Sequence, residues 1–352
     1  MYPRIITHLA KLEHNLDQVL RLCQRNGIDS SFLVVKVLAG QPKIVEKLAM
    51  HDIAYLADSR LKNLEKYQHI AKKKAYLRLP MSSEIDRVVN IADLSLNSEI
   101  TTIRKLNDAA LKLHKRHDII LMFDLGDLRE GIYYQDSYLP MVGEILTLSS
   151  ISLKGIGVNL TCYGGLIPTP SILNRLIEIK QTIESHFSLH LDLISGGNSS
   201  SFYLFDNPGL PKEINSLRYG EIVFMGRETA YGRFLPGLYR DVFTFEAQLI
   251  ECKVKPSFPD GEIGMNSFGE KVLIEDKGLM NRGILAIGKQ DVQLENLFPR
   301  DPNVTILGGS SDHMIVDLGK PNYQVGDILS FDVNYPGLLH LMNSGYVKKI
   351  IQ

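Results

Sequence analysis

The chain has 352 residues, of which 44% are hydrophobic, so it is long enough for two domains or for one large barrel with an appendage. Its 39 basic and 40 acidic residues leave a formal net charge of −1, which argues against a polyanion such as nucleic acid as partner. The three cysteines are widely spaced, which predicts a protein without disulfides. We see no signal peptide and no apolar run near the roughly 20 residues that a membrane helix needs. We therefore expect a cytoplasmic protein that does not bind the membrane.

Eight short apolar runs, rich in Val, Ile, Leu or Phe, alternate with amphipathic segments over the first two thirds of the chain. Their length and composition are typical of strands that are buried on both faces. The runs are Phe32–Val37, Ile53–Leu56, Ala75–Leu79, Leu94–Leu96, Ile119–Phe123, Leu153–Val158, Leu191–Ile194 and Ile222–Met225.

Helical stripes lie between these runs. One repeats every third residue from Leu61 to Ile70, and another extends from Ile172 to Ile183. Thr169-Pro170 precedes the second stripe and predicts a helix start, with Thr as the N-cap and Pro at the first helical position. Eight strands that alternate with helices predict a (β/α)8 TIM barrel over residues 1–235. A doubly wound open sheet is the alternative, because periodicity alone does not show closure.

The pattern changes after about Leu235. Strand-like runs separated by Gly, Pro and Asp turns predict a mostly β domain over residues 236–352, without long helices. These runs are Phe243–Lys253, Gly283–Ile287, Val304–Leu307, Met314–Val316 and Ile328–Val333.

Polar residues stand at the ends of the predicted barrel strands, where barrel enzymes place their chemistry. They are Lys36, Asp58, Asn97, Asp124, Asn159 and Ser195. Lys36 lies near the end of an apolar run, and desolvation there would free its amine to attack a carbonyl and form a Schiff base. The alternative is a strand-end lysine that reaches for solvent.

Other segments offer groups for binding or catalysis. Ser195–Ser201, with two glycines and four serines, suits a phosphate, although an ordinary polar turn is the alternative. Arg129 and Arg218 could each bind a carboxylate, or lie in solvated loops. Cys162 and Tyr163 could supply acid–base groups, or simply pack in the fold.

In the predicted β domain, polar groups stand at Lys289, Asp291, Asp312, His313 and Tyr335. A β domain that docks over a barrel mouth could deliver any of them. Asp312-His313 could ligate a metal, but no further ligand stands at a recognisable spacing, so we expect no metal site.

Together these features resemble the fold-type III pyridoxal 5′-phosphate (PLP) enzymes of the alanine racemase group, and within it the ornithine racemase branch. The resemblance covers nearly the whole chain and implies a PLP-carrying barrel, a C-terminal β domain and a homodimer in which each β domain caps the partner's barrel. Its most specific stretches are Val34–Lys36, Ala57–Arg60, Asp124–Gly131, Gly157–Gly164, Ser195–Ser201, Gly226–Gly232 and Ser310–His313.

The resemblance also implies roles for single residues. Lys36 forms the Schiff base with PLP and is one racemisation base, and Arg129 steadies the cofactor oxygen or the substrate carboxylate. Arg218 faces the pyridine nitrogen, which stays unprotonated because a guanidinium keeps its proton at ordinary pH. The further members of the implied cofactor site are Asn159, Asn198, Ser199, Ser200, Gly220, Glu221, Ile222 and Tyr335.

The chain departs from the alanine racemase pattern at four places. Gly40 stands where a tyrosine follows the lysine, Met122 where a modified lysine is often found, and Asn159 in place of a histidine. The motif that usually carries the catalytic tyrosine reads Gly288-Lys289-Gln290-Asp291, so the usual second base is absent.

A racemase needs a proton-transferring group on each face of the α-carbon. The candidates for the second group are Lys289, Cys162 and Tyr163. Asp291, Asp312 and His313 are expected to shape the substrate pocket, where acidic residues suit a cationic side chain such as that of ornithine or lysine.

The expected activity is therefore PLP-dependent racemisation of a free amino acid, with a basic one such as ornithine favoured. The alternatives are an alanine or broad-specificity racemase, a metal-assisted lyase of the same fold resembling D-threonine aldolase or D-serine dehydratase, a PLP carrier without turnover, and a barrel enzyme without PLP.

Overall fold

The chain divides into two units in the computed structural model, which describes residues 1–206, 209–266, 268–269, 271, 274–320 and 322–352. The barrel unit spans Ala10–Arg240, and the β unit combines Met1–Leu9 with Asp241–Gln352. The first strand, β1 (Arg4–Thr7), lies in the β unit. None of the described helices is long and apolar enough to cross a membrane.

Parallel strands build the barrel unit. They are β2 (Ser30–Val34), β3 (Tyr55–Asp58), β4 (Lys73–Tyr76), β5 (Leu94–Asn97), β6 (His117–Asp124), the two-residue β7 (Ile132–Tyr133), β8 (Ile151–Val158), β9 (Leu193–Ser195) and β10 (Ser216–Tyr219). The strands follow the order β5-β4-β3-β2-β10-β9-β8-β6, and β5 pairs with β6, while β7 is attached to β6 alone. The ring of eight is thus closed, which confirms the predicted barrel and excludes the open sheet.

Helices follow most of these strands. They are α1 (Leu9–Arg25), α2 (Pro42–Leu48), α3 (Leu61–Lys66), α4 (Ile85–Ile91), α5 (Ile100–Lys112), α6 (Leu139–Thr147), α7 (Pro170–Phe187) and α8 (Glu221–Met225). The start of α7 is as predicted, because the Thr169 hydroxyl accepts a hydrogen bond from the Ile172 backbone N–H at 3.2 Å. The stripe that begins at Leu61 is helical only as far as Lys66.

Two predicted strands are corrected by the structure. The run Ile222–Met225 lies in helix α8, and the eighth strand is β10, one segment earlier in the chain. All four apolar residues of this run are buried, so its composition is the same as that of a buried strand. The first run also ends early, because β2 stops at Val34 and Lys36 begins a 3₁₀ helix, Lys36–Leu38.

Inward-facing side chains fill the barrel, as in other closed parallel barrels. They form one buried cluster, in which Met122 has no exposed surface. Its members are Phe32, Val34, Tyr55, Ala57, Ala75, Leu94, Leu96, Ile120 and Met122. Because this interior is packed, polar groups of the barrel unit are concentrated at the strand ends.

The β unit is built on largely antiparallel pairing. Beyond β1, its elements are β11 (Phe243–Pro256), β12 (Leu279–Leu285), β13 (Leu297–Pro299), β14 (Thr305–Gly309), β15 (Met314–Asp317), β16 (Ile328–Val333), α9 (Tyr335–Asn343) and β17 (Lys348–Ile351). The main path is β13-β16-β11-β12-β15-β14, and β1 lies between β11 and β17, antiparallel to the first and parallel to the second. The predicted mostly β character of this region is confirmed.

Candidate active site

Six strands bring polar residues to the carboxyl-terminal face of the barrel. Parallel strands in a closed ring present these ends to the same side, so residues far apart in sequence gather there. The residues are Lys36 after β2, Asp58 on β3, Asn97 on β5, Asp124 on β6, Asn159 after β8 and Ser195 on β9. Arg218 joins them from β10.

Lys36 is half-buried at the start of its 3₁₀ helix, and Asp58 lies at the end of the neighbouring strand with no exposed surface. The Asp58 carboxylate accepts hydrogen bonds from the Arg60 backbone N–H at 2.9 Å and from the Asn63 amide at 3.1 and 3.2 Å. Burial raises the pKa of Asp58 to about 6, against the lowering effect of these bonds and of the Lys36 charge.

Gly40 adopts a left-handed conformation with φ of +79°. A Cβ atom at this position would lie 2.8 Å from Lys66 Cδ and 3.0 Å from Asn63 Oδ1. The Lys66 side chain could move aside, so the left-handed backbone is the stronger physical reason for glycine here.

A cradle of donors surrounds Ser199, which is 4% exposed. Its hydroxyl accepts long hydrogen bonds from the backbone N–H groups of Gly220, at 3.4 Å, and Ile222, at 3.3 Å. Within the described part of the chain, the buried Ser200 hydroxyl has no hydrogen-bond partner. Weakly held N–H groups and an unsatisfied hydroxyl are what a phosphate requires, so these residues fit the phosphate of PLP.

The backbone around this cradle is closely packed. A Cβ atom at Gly220 would lie 2.7 Å from the Val34 carbonyl oxygen, so only glycine fits. The Glu221 side chain pairs with Arg227 at 2.7 Å, which leaves its backbone as the part available to a ligand. The Asn198 side-chain oxygen accepts from the Ser200 backbone N–H at 2.8 Å and caps the helical turn that follows.

Arg218 is buried, with 3% of its surface exposed. Its guanidinium donates to the Ser195 hydroxyl, to the Val158 carbonyl at 2.6 Å and to the Asn159 side-chain oxygen at 3.0 Å. Burial lowers the pKa of Arg218 to about 10, so the group remains charged at neutral pH. Gly157 makes room for it, because a Cβ there would lie 3.2 Å from Arg218 Nη1.

Glu130 connects the two arginines, a role that sequence reasoning missed. Its carboxylate accepts from Arg129 Nε, from Arg129 Nη2 at 2.5 Å and from the Asn159 amide nitrogen. In the sequence, Glu130 is only an acidic residue beside an arginine. The same pattern occurs in solvent-exposed ion pairs, so it did not indicate this role.

A second missed residue is Asp127, which has no exposed surface. Its Oδ1 accepts from the backbone N–H groups of Thr161 at 3.0 Å and Leu166 at 2.9 Å. Its Oδ2 accepts from those of Cys162 at 3.1 Å and Tyr163 at 3.0 Å. Four bonds to one carboxylate hold the loop after β8, which carries two of the candidate bases.

Cys162 lies exposed at the surface of this loop, and its thiol sulphur accepts a hydrogen bond from the Asn198 amide at 3.2 Å. Surrounding protein atoms raise the pKa of the Cys162 thiol, and the charges of Arg129 and Lys36 oppose that rise. Tyr163 is 76% exposed. The barrel unit therefore brings Cys162 near Lys36, Arg129 and Asn198 and leaves the ring of Tyr163 in solvent.

Four of the five candidates of the β unit share two neighbouring turns. The backbone N–H of Lys289 donates to the Ser310 carbonyl at 2.9 Å, and that of Gln290 donates to Ser311 at 3.0 Å. A Cβ atom at Gly288 would lie 2.2 Å from the Ser311 carbonyl oxygen, so the approach depends on glycine. Turns 288–291 and 310–313 thus lie together.

The side chains on these turns differ in environment. Asp291 is 9% exposed and accepts from the Ser344 hydroxyl at 2.6 Å, whereas Asp312 and His313 are exposed and 3.8 Å apart. Tyr335 is half-buried at the start of α9. Among the residues that the structure describes, no three His, Cys, Asp or Glu side chains converge as metal ligands would.

Comparison with known proteins agrees with this architecture. Residues 7–228 match the family model described as alanine racemase, N-terminal domain. The chain is 46% identical to an ornithine racemase of Acetoanaerobium sticklandii over 99% of both chains. It is 35% identical to a lysine racemase of Thermotoga maritima over 100% of this chain and 99% of that one.

The fold has close counterparts among solved structures. An alanine racemase from Bartonella henselae with covalently bound pyridoxal phosphate superposes with a TM-score of 0.76 over 100% of both chains, at 16% identity. A match at 16% identity shows the fold alone. The family model and the full-length relatives show the family. The chain belongs to the alanine racemase family.

Proposed function

We propose that the chain is a PLP-dependent racemase that interconverts the L and D forms of a free basic amino acid, with ornithine as its substrate. The observation that carries this proposal is the 46% identity to an ornithine racemase over 99% of both chains. Asp291, Asp312 and His313 lie on adjoining turns, and we assign them to recognition of the substrate. The two carboxylates suit the cationic side chain of ornithine.

The barrel unit offers the groups that PLP needs. Lys36 would hold it covalently, Ser199 and Ser200 with the N–H groups of Gly220 and Ile222 would bind its phosphate, and Arg218 would face its ring nitrogen. Further cofactor contacts are assigned to Asn159, Asn198, Glu221 and Tyr335. PLP, when bound, withdraws electrons from the substrate α-carbon and so acidifies the α proton.

The protein supplies the proton transfers and the orientation. The Lys36 amine takes or returns the α proton on one face of the substrate, and a second group acts on the other face. We keep Cys162, Tyr163 and Lys289 as candidates for that second group. Arg129 binds the substrate carboxylate or the cofactor oxygen. Arg218 stays protonated, so it leaves the ring nitrogen without a proton and limits side reactions.

We also propose a cytoplasmic homodimer with a cofactor domain over residues 1–235, apart from the strand β1 that pairs within the β unit, and a C-terminal domain over 236–352. The three cysteines, Cys23, Cys162 and Cys252, are all free thiols, which agrees with a reducing compartment. The dimer is proposed from the membership of the family and is tested below at the scale of the whole molecule.

The decisive test is a chiral assay of the purified, PLP-loaded protein with ornithine, lysine, alanine and serine. We expect ornithine to racemise fastest, and Lys36→Ala to lose both the visible absorbance of bound PLP and the racemisation. Lys47→Ala, which removes an exposed lysine of α2, should leave both unchanged. Racemisation that survives in Lys36→Ala would contradict the assignment.

The same assay, with D-threonine and a metal chelator added, separates the alternatives. D-threonine cleavage that stops on chelation would indicate a lyase, and faster racemisation of alanine than of ornithine would indicate an alanine racemase. Bound PLP without α-proton exchange in deuterated water, for all four amino acids, would indicate a carrier.

A further inference from the structure

Arg218 is a buried cation whose direct hydrogen-bond acceptors, among the residues that the structure describes, are all neutral. They are the hydroxyl of Ser195, the carbonyl of Val158 and the side-chain oxygen of Asn159. A buried charge is costly unless an opposite charge lies near it. A carboxylate that stabilises this charge can reach Arg218 through one of these neutral groups.

Asn159 provides that link, because the two ends of its amide have different partners. Its oxygen accepts from Arg218 Nη2 at 3.0 Å, and its nitrogen donates to Glu130 Oε1. The amide dipole thus points its negative end at the guanidinium and its positive end at the carboxylate. Each group is satisfied in this orientation only.

Glu130 also holds the second arginine of the site. Arg129 Nε donates to Oε2 and Arg129 Nη2 donates to Oε1 at 2.5 Å, which is a bidentate pair. The Glu130 side chain is 15% exposed and that of Arg129 is 40% exposed, so the carboxylate is the shielded partner of this pair. Three N–H groups from two residues therefore converge on one carboxylate.

The charge of Glu130 also favours the protonated form of Arg218. It acts to raise the pKa of the guanidinium, against the larger lowering effect of burial. The charge of Arg129 acts in the opposite direction. The Glu130 carboxylate thus stabilises the charged Arg218 in two ways, through the hydrogen bonds of the Asn159 amide and through direct electrostatic attraction.

We infer that Glu130 is a positioning residue, whose carboxylate orients Arg129 directly and Arg218 through Asn159 before PLP and substrate bind. The inference rests on the proposed function, in which both arginines face the cofactor or the substrate. It adds a residue to the site that does not itself touch either ligand.

The test begins with Glu130→Gln, which keeps the size of the side chain and removes its charge. The new amide offers one acceptor oxygen where two carboxylate oxygens now serve three N–H groups. We expect the PLP dissociation constant of the apoprotein to rise roughly tenfold or more, as for loss of a charged hydrogen-bond partner. The visible absorption band of bound PLP should shift, and kcat/KM should fall by about 100-fold.

Two further variants separate positioning from general loss of structure. Glu144→Gln removes a matched bidentate pair, because Glu144 on α6 binds Arg104 through both its oxygens at an exposed position. It should leave PLP affinity, absorption band and kcat/KM at their normal values. Glu130→Asp keeps the charge on a shorter side chain and should give values between those of the normal protein and Glu130→Gln.

A double-mutant cycle with Asn159→Ala tests the link itself. If Glu130 acts on Arg218 through Asn159, the double variant should lose clearly less PLP affinity than the sum of the two single losses, because the shared link is lost only once. Additive losses, or PLP affinity and absorption in Glu130→Gln equal to those of Glu144→Gln, would overturn the inference. Should Glu130→Gln fail to fold, the comparison of Glu130→Asp with Asn159→Ala and their double variant makes the same decision.

The cycle is measured by PLP titration without substrate, so it is independent of the racemase proposal. If the affinity pattern holds and no amino acid is racemised, the proposed function fails and the inference stands. If ornithine is racemised and the affinity pattern is absent, the inference fails alone.

Discussion

Asp58 and His117 are buried titratable groups of the barrel whose charged forms are both disfavoured in the fold. Burial raises the pKa of Asp58 to about 6 and lowers the pKa of His117, at the start of β6, to about 4. The His117 ring shares a hydrogen bond of 2.8 Å with the Ser95 hydroxyl, which the Asn97 amide also contacts at 2.9 Å. Both shifts fall in the same pH range but act on stability in opposite directions.

The signs follow from proton binding. Between about pH 4 and 6, the folded protein keeps a proton on Asp58 that the unfolded chain releases, so this group makes stability fall as pH rises. Between about pH 6.5 and 4, the unfolded chain binds a proton on His117 that the folded protein refuses, so this group makes stability fall as pH drops. Each effect is on the order of 3 kcal/mol, so they largely cancel.

Asp58→Asn should remove one side of this balance. We expect its free energy of unfolding, measured in urea from pH 4 to 7, to rise with pH more steeply than that of the normal protein. Asp52→Asn, at an exposed position, should keep the normal profile. Equal slopes for Asp58→Asn and the normal protein would show that Asp58 carries no raised pKa.

At the scale of elements, the candidate second bases differ in how they are held. Cys162 and Tyr163 lie on the loop after β8 that Asp127 binds through four backbone N–H groups, and Lys289 follows β12 on the turn packed against Ser310. A rigid loop can present a proton-transferring group in one geometry, which general acid–base catalysis requires. Backbone hydrogen bonds hold both loops, that of Lys289 through Ser310.

Replacing the true second base should therefore cost racemisation about 100-fold or more. We compare Cys162→Ser, Tyr163→Phe and Lys289→Met, with Cys252→Ser on β11 as the control thiol. The responsible variant should still exchange the α proton of one ornithine enantiomer in deuterated water, because Lys36 remains on its face. Near-normal racemisation in all three would place the second base elsewhere.

Two elements show which local sequence patterns are sufficient to predict secondary structure. The start of α7 could be predicted because Thr169-Pro170 is a local capping pattern, and the structure has that cap. The strand predicted at Ile222–Met225 was wrong because a helix buried on every side has the same apolar composition as a buried strand. Gly220 lies between β10 and α8 and indicates a boundary between two elements, but it does not indicate which of the two is a helix.

At the scale of the whole molecule, the proposed homodimer has a direct test. Light scattering of the PLP-loaded protein over a range of concentrations should give twice the mass of one chain. Full racemase activity at a concentration where the mass is that of a single chain would contradict the dimer. If the protein is a dimer, mixing two inactive variants can then test whether one active site uses residues of both chains.

The amino-acid sequence by itself determined the class of the fold and predicts where the centre of the site lies. Alternating apolar runs and helical stripes are local patterns, so the eight-stranded barrel, the following β region and the strand-end position of Lys36 could be read from them. The glycine and serine run at Ser195–Ser201 was equally local, and the structure makes it part of a donor cradle.

Only the tertiary structure decided which distant residues meet. β1 pairs with β11, whose residues are about 240 positions away, and thereby joins the N-terminus to the β unit. Glu130, Asn159 and Arg218 come from three different segments, and closure of the barrel brings their side chains into one hydrogen-bonded chain. Such contacts depend on strand order and closure, which local periodicity does not encode.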